Sequence, residues 1–260
     1  MAPVSQELEP PTNPGRFSIT RYEDRSGVGK DLIAAEKWLL QAAKQGHIGA
    51  QLQLANLYYE GPDDRKRLYF DALKWFDAAL PLLYEAEKTA SRTMKTNLNR
   101  MIGGVEYKIA NIYYQECSLH FLSFRSCGPD DTFARVLKDP VKAKHWFYLS
   151  AERGNKEAQY DLAGMYELGS GIPQNFEEAI KWYEKAALNG FDNARCPLGP
   201  LYSKLGNYVA AHMWFNLAQS ATVMCNEEAL VARDAVAKLM TSEQVATAQR
   251  NATDWAEKKH

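Results

Sequence analysis

Five tryptophans constrain this chain more than anything else in it. Trp38, Trp75, Trp146, Trp182 and Trp214 each follow an alanine by three positions: Ala35, Ala72, Ala143, Ala179 and Ala211. Each also precedes a small residue by four: Ala42, Ala79, Ser150, Ala186 and Ala218. Spacings of three and four place all three side chains on one helix face. The intervals Trp38–Trp75, Trp146–Trp182 and Trp182–Trp214 are 37, 36 and 32 residues, the period of a two-helix repeat. Between the tryptophans a second block recurs, as Ala50 to Leu54-Ala55 and Tyr58, Val105 to Ile109-Ala110 and Tyr113, Ala158 to Leu162-Ala163 and Tyr166, and Ala194 to Leu198-Gly199 and Tyr202.

Residues 155–190 are the most complete copy. Ala158, Leu162, Ala163 and Tyr166 line one face of a first helix, and Gly169, Gly171 and Pro173 break it. Asn175 with Glu178 predicts a capping box for the second helix. Its stripe is Ala179, Trp182, Tyr183, Ala186 and Ala187, and Gly190 stops it. Such a hairpin cannot bury its apolar face alone, so it stacks on copies of itself.

At these residues the chain resembles the Sel1-like repeat family, relatives of the tetratricopeptide repeat that are abundant in bacteria. The family pattern runs Ala, Leu-Gly, Tyr, Gly-x-Gly, Lys-Ala, Trp, Ala-Ala and Gly. The resemblance covers roughly Tyr22 to Ala221. It departs where Ala55, Ala110 and Ala163 replace the Leu-Gly glycine, and the Gly-x-Gly turn is intact only at Gly169–Gly171, with remnants at Gly27 and Gly61. The resemblance implies an all-α fold, a right-handed α/α superhelical solenoid that binds proteins and is usually without catalysis.

The expected organisation is a flexible Pro-rich leader at 1–16, a repeat solenoid at 17–221 and C-terminal capping helices at 222–260. The solenoid is interrupted twice. From Trp75 to Val105 the chain takes 30 residues where 12 separate Trp38 from Ala50, Trp146 from Ala158 and Trp182 from Ala194. The excess of 18 falls near 81–100, is rich in helix formers, and corresponds to whole turns at about 3.6 residues each; both helices of this hairpin are expected to be longer, with Pro81 a kink site in the first. The second insertion, 115–138, carries Phe121, Phe124 and Arg125, residue types suited to interface anchors. The alternative is that these aromatics fold back onto the solenoid.

Charge and composition exclude several functions. A net charge of −1 leaves no electrostatic footprint for nucleic acid, and no apolar run is long enough to span a membrane. Gly27-Val-Gly-Lys30 lacks the P-loop residues, since Asp24 and Asp31 occupy the positions of its first Gly and its Ser/Thr. The five histidines have no partner at ligand spacing, and Cys117 and Cys127 lie too far apart for a zinc knuckle. No metal, cofactor or catalytic constellation is expected; an enzyme with an unrecognised site is the remote alternative.

In superhelices of this kind the first helices line the concave face, with exposed positions two before, two after and five after the buried Leu. They are Leu52, Asn56 and Tyr59; Tyr107, Asn111 and Tyr114; Tyr160, Gly164 and Glu167; and Cys196, Pro200 and Ser203. Two successive repeats thus present the same Asn–Tyr pair, suited to an extended backbone or a protein edge. The competing reading packs Tyr59 and Tyr114 against the lengthened hairpin.

The family resemblance also implies disulfides that staple helices, Cys117 with Cys127 and Cys196 with Cys225; buried thiols are the alternative. Disulfides would place the chain in the periplasm or otherwise outside the cytoplasm, with export by a segment removed before residue 1, against a cytoplasmic alternative. The partner expected is a protein. It is a secreted toxin if the chain is an immunity protein, as some Sel1-like proteins are; the alternative is an adaptor or a secretion- or envelope-associated regulatory factor. The C-terminal tail resembles the ending of bacterial members.

Overall fold

The computed structural model describes residues 32–60, 68–114, 138–219 and 225–258, and these are helical with no strand among them. The helices are α1 Leu32–Lys44, α2 Ile48–Glu60, α3 Tyr69–Thr89, α4 Arg92–Tyr114, α5 Pro140–Glu152, α6 Lys156–Leu168, α7 Phe176–Leu188, α8 Arg195–Lys204, α9 Tyr208–Gln219, α10 Asn226–Ala237 and α11 Ser242–Lys258. The fold is the all-α helical-repeat class of an α solenoid. It divides inside α4 into two compact units, residues 1–98 and 99–260.

Local chemistry accounts for the helix ends. Asp139 caps α5, its Oδ1 accepting the Lys142 N–H at 3.0 Å, with Pro140 in the first turn, where no donor is needed. Asn155 caps α6 through the Ala158 N–H at 2.9 Å, and Asn175 caps α7 through the Glu178 N–H at 3.0 Å. The capping box expected at α7 is half made. Glu178 reaches Lys181 instead of returning to the cap, because the Asn175 N–H already donates to the Tyr166 carbonyl at 2.8 Å. A full box stands at α11, where Thr241 and Gln244 exchange side-chain bonds to each other's N–H. At the α6–α7 turn Gly171 is left-handed, and a Cβ there would overlap the Pro140 ring at 2.2 Å.

The repeat register sets the core. Leu54-Ala55, Ile109-Ala110, Leu162-Ala163 and Leu198 are fully buried, as are Ala72, Ala143, Ala179 and Ala211. Small residues on facing helices let two backbones approach closely, and the large side chains fill the remaining volume. The tryptophans are not uniform. Trp75, Trp182 and Trp214 are buried, whereas Trp38 and Trp146 are only half so. The next residue is buried in every copy: Leu39, Phe76, Phe147, Tyr183 and Phe215.

The lengthened hairpin is visible in the helices themselves. α3 has 21 residues, with Pro81 inside it, and α4 has 23, against 13 in each of α1, α2, α5, α6 and α7. At the other end, α11 covers the last repeat. Trp255 sits edge-on to Trp214 with ring centroids 5.3 Å apart, and the Arg195 guanidinium lies 4.9 Å from the Trp255 ring. A disulfide joins Cys196 of α8 to Cys225 at the start of α10, with Cα atoms 6.1 Å apart.

Candidate protein-binding surface

A buried polar residue recurs one position after each first-helix Ala or Val, as Gln51, Glu106, Gln159 and Arg195. Gln51 Nε2 donates to the Ala43 carbonyl at 3.2 Å, and Gln159 Nε2 to the Ala151 carbonyl at 2.9 Å. Each glutamine thereby adds a second hydrogen bond to a carbonyl at the end of the preceding helix, which also accepts the Gly46 or Gly154 N–H, and ties its own helix to that end. Glu106 performs a different task. Its Oε1 accepts from Arg153 Nε at 3.1 Å, and Arg153 is bound in turn by Asn99. Ser150 Oγ donates to the Gly103 carbonyl at 2.6 Å beside this pair. These residues hold α4 against α5, and sequence reasoning missed them. The signal available was a polar side chain at constant register inside an apolar block.

The face expected to meet a partner is built on the residue after each Trp. In the first compact unit, Tyr59 packs edge-on against Tyr69 and Phe76 of α3, with centroids at 6.1 and 6.4 Å. Tyr59 therefore lies against the lengthened helix, the packing reading rather than the free one; Asn56 is half-buried on the same helix. In the second unit, Tyr107 and Tyr114 both rest on Phe147, at 5.9 and 5.6 Å. Tyr114 thus uses α5 as its floor. Tyr160 packs on Tyr183 at 5.3 Å and Phe191 at 4.9 Å, and Tyr183 Oη donates to Glu167 Oε2 at 2.9 Å.

Tyr107, Asn111, Tyr114, Tyr160 and Glu167 are all half-buried. The fourth repeat offers no such surface: Cys196 is in the disulfide and Ser203 Oγ bonds the Gly199 carbonyl at 3.0 Å. Phe121, Phe124, Arg125, Cys117 and Cys127 lie outside the described residues.

The electrostatics of this surface centre on Asp161, which the sequence did not single out. Tyr107 Oη donates to its Oδ2 at 2.9 Å. Burial pushes the Asp161 carboxyl up to about 6, the Tyr107 hydrogen bond opposes this, and the Glu157 charge adds to it. Burial raises the Tyr160 hydroxyl as well, helped by the charges of Asp161 and Glu167. Burial and the same carboxylates hold Tyr183 protonated. Among the described residues no cluster of three His, Cys, Asp or Glu could hold a metal ion, and no helix is long and apolar enough to cross a membrane. His145 lies exposed, edge-on to Trp146, and His212 is buried with Nδ1 3.3 Å from Asn216 Nδ2.

Helical hairpins in this register, small-for-small at the crossing and capped by an extra helix, define a repeat scaffold of the tetratricopeptide-like class. The Sel1 repeat family matches residues 20–47, 48–80, 133–155 and 156–191, and the chain is a Sel1-like repeat protein. It is similar to the chitin synthase regulator SKT5 of Saccharomyces cerevisiae, 27% identical over 197 residues, 67% of this chain and 27% of that protein. It is also similar to chitin synthase regulatory factor 3 of Schizosaccharomyces pombe, 24% identical over 214 residues, 73% of this chain and 22% of that one. The chain therefore spans about a quarter of the length of these curated relatives. A solved structure, the protective antigen c5321 of uropathogenic Escherichia coli, is 23% identical, with a TM-score of 0.45, covering 93% of this chain and 52% of that one. Sel1 repeats make the chain a protein-interaction scaffold.

Proposed function

We propose that the chain is a regulatory scaffold that holds a partner protein on the first-helix face of α4 and α6. The observation that carries this reading is the row of half-buried side chains Tyr107, Asn111, Tyr114, Tyr160 and Glu167. The tyrosine rings are fixed from below by Phe147 and Tyr183. Aromatic side chains immobilised before binding lose little entropy on contact, which is what interface hot spots require. Both fungal relatives carry the word regulator or regulatory in their names, in keeping with a scaffold that acts through a partner.

The test is capture of the partner from the native source with the tagged chain, followed by calorimetry. Asn111→Ala combined with Tyr114→Ala is expected to weaken the complex at least tenfold, about 1.4 kcal/mol, with little change in melting temperature. Unchanged affinity would move the interface off this face.

A second reading follows from the Cys196–Cys225 disulfide. A disulfide persists in an oxidising compartment, which supports an exported chain. In that setting the partner fits a secreted toxin, with the chain as its immunity protein. Co-expression with a toxin encoded beside it would restore growth of the host if this reading holds, and leave growth arrested if it does not.

A further inference from the structure

α10 meets the last repeat through a small apolar core and a polar relay beside it. Ala229 and Val236 are its buried hydrophobics, set with Ala211, Phe215 and Ala218 of α9, while Leu230 and Val231 are exposed. The relay starts from His212, which is buried, and Asn216, one turn further along the same face of α9. Arg233 Nη1 of α10 donates to Asn216 Oδ1 at 3.4 Å, and Asn216 Nδ2 lies 3.3 Å from His212 Nδ1. An arginine can only donate, so the carboxamide turns its oxygen to Arg233 and its NH2 to the imidazole. His212 Nδ1 is therefore the acceptor, and the docked arrangement requires it to carry no proton. Asp234 Oδ1 accepts from Arg233 Nε and Nη2 at 2.9 and 2.7 Å and steadies the guanidinium.

Protonation of His212 reverses the relay. An Nδ1–H needs an acceptor, and the only one Asn216 has is the oxygen that Arg233 uses. Turning that oxygen to the imidazole sets the carboxamide NH2 against the guanidinium, donor against donor. Burial lowers the proton affinity of His212, the Arg233 charge lowers it further, and the Asp234 charge opposes both. Other charges on the helices packed around α9 are engaged elsewhere or lie in solvent. On α8, Arg195 holds Asp192 and the Leu217 carbonyl, and Lys204 lies over the Phe176 ring. On α11, Arg250 bonds Thr247, and Glu243, Asp254 and Glu257 are exposed, as are Glu227 and Glu228 of α10.

We propose that α10 is an acid-released cover on the last repeat, with His212 as its trigger and Asn216 as the link to Arg233. The Cys196–Cys225 bond keeps the start of α10 in place, so release is an opening about that end. Opening uncovers the Ala211, Phe215 and Ala218 surface of α9. Because the docked state prefers the neutral imidazole, docking is at full strength above the ordinary histidine value. It weakens as pH falls below that value, when the undocked form takes up the proton first.

The experiment is amide hydrogen exchange on the full chain, disulfide intact, at about pH 7.5 and about pH 5, corrected for the intrinsic pH dependence of exchange. A helix as short as α10 does not persist undocked, so protection of its amides from Leu230 to Ala237 reads docking. In the unaltered chain that protection is expected to fall at least about threefold at the lower pH. His212→Gln keeps an acceptor for Asn216 and takes up no proton, and it is expected to hold the protection constant. Asn216→Asp offers oxygens to Arg233 and to an imidazolium alike, and it is expected to abolish or invert the acid loss. Protection of α10 that does not change with pH in the unaltered chain would overturn the proposal. An undiminished acid loss in either variant would overturn it too.

Discussion

The Tyr107 hydroxyl of α4 donates to the Asp161 carboxylate of α6 across 2.9 Å and joins the lengthened helix to the most complete repeat. Whatever changes the charge of Asp161 is felt at this junction.

Stability should therefore depend on pH through Asp161. Its folded pKa of about 6 exceeds the ordinary carboxylate value, so the folded protein holds this proton more tightly than the unfolded chain. The stability it contributes is fully present below the ordinary value and is lost as pH rises through about 6. Asp161→Asn keeps an acceptor for Tyr107 and removes the charge. It is expected to raise stability at about pH 7.5 by on the order of 1–2 kcal/mol, and the melting temperature with it, and to change both little at about pH 4. Melting curves at the two pH values decide; a variant that melts lower at neutral pH would contradict the assignment.

Phe147 should matter more than Trp146. The phenylalanine is fully buried and is the floor for both Tyr107 and Tyr114, whereas the tryptophan is half-exposed. Phe147→Ala is expected to cost about 3–5 kcal/mol and Trp146→Ala roughly half as much. Denaturant unfolding of the two variants checks the order.

Gly199 has no room for a side chain. A Cβ there would stand 2.5 Å from the Phe215 ring, where real Cβ atoms do not sit. Gly199→Ala is expected to destabilise by about 1–3 kcal/mol, and Phe215→Leu in the same chain to recover part of it. A non-additive double mutant in urea would establish the contact; simple additivity would deny it.

The Cys196–Cys225 bond ties α8 to the start of α10 across a sequence separation of 29. Replacing both cysteines with serine is expected to lower stability by about 2–4 kcal/mol. Peptide mapping without reductant, on protein from its native compartment, should recover the two linked. Freely alkylated thiols at both positions would exclude the bond there and with it the exported setting.

The hairpin register was legible in the residues themselves. Periodicity at three and four, alanines at the crossings and the asparagine cap at 175 are local properties, and local sterics and hydrogen bonding suffice to express them. The length of α3 and α4 was legible too, because an insertion of whole turns leaves the buried stripe in phase. What a side chain touches across helices was not. The sequence marked the tryptophans, but the crossing geometry sends Trp38 and Trp146 toward the surface and the residue after each into the core. Tyr59, Tyr107, Tyr114 and Tyr160 read as free positions from a single helix, and only the neighbouring helix supplies Phe76, Phe147 and Tyr183 beneath them. Asp161 looked like any surface carboxylate, since its raised pKa comes from burial between helices and from Glu157, one turn before it. Of the two cysteine pairs considered, Cys196–Cys225 lies among the described residues and is bonded, a matter of two Cα atoms at 6.1 Å that no spacing in the chain encodes. Side-chain direction belongs to the pair of helices, not to either one, which is why the Tyr107–Asp161 bond between α4 and α6 exists only in the folded chain.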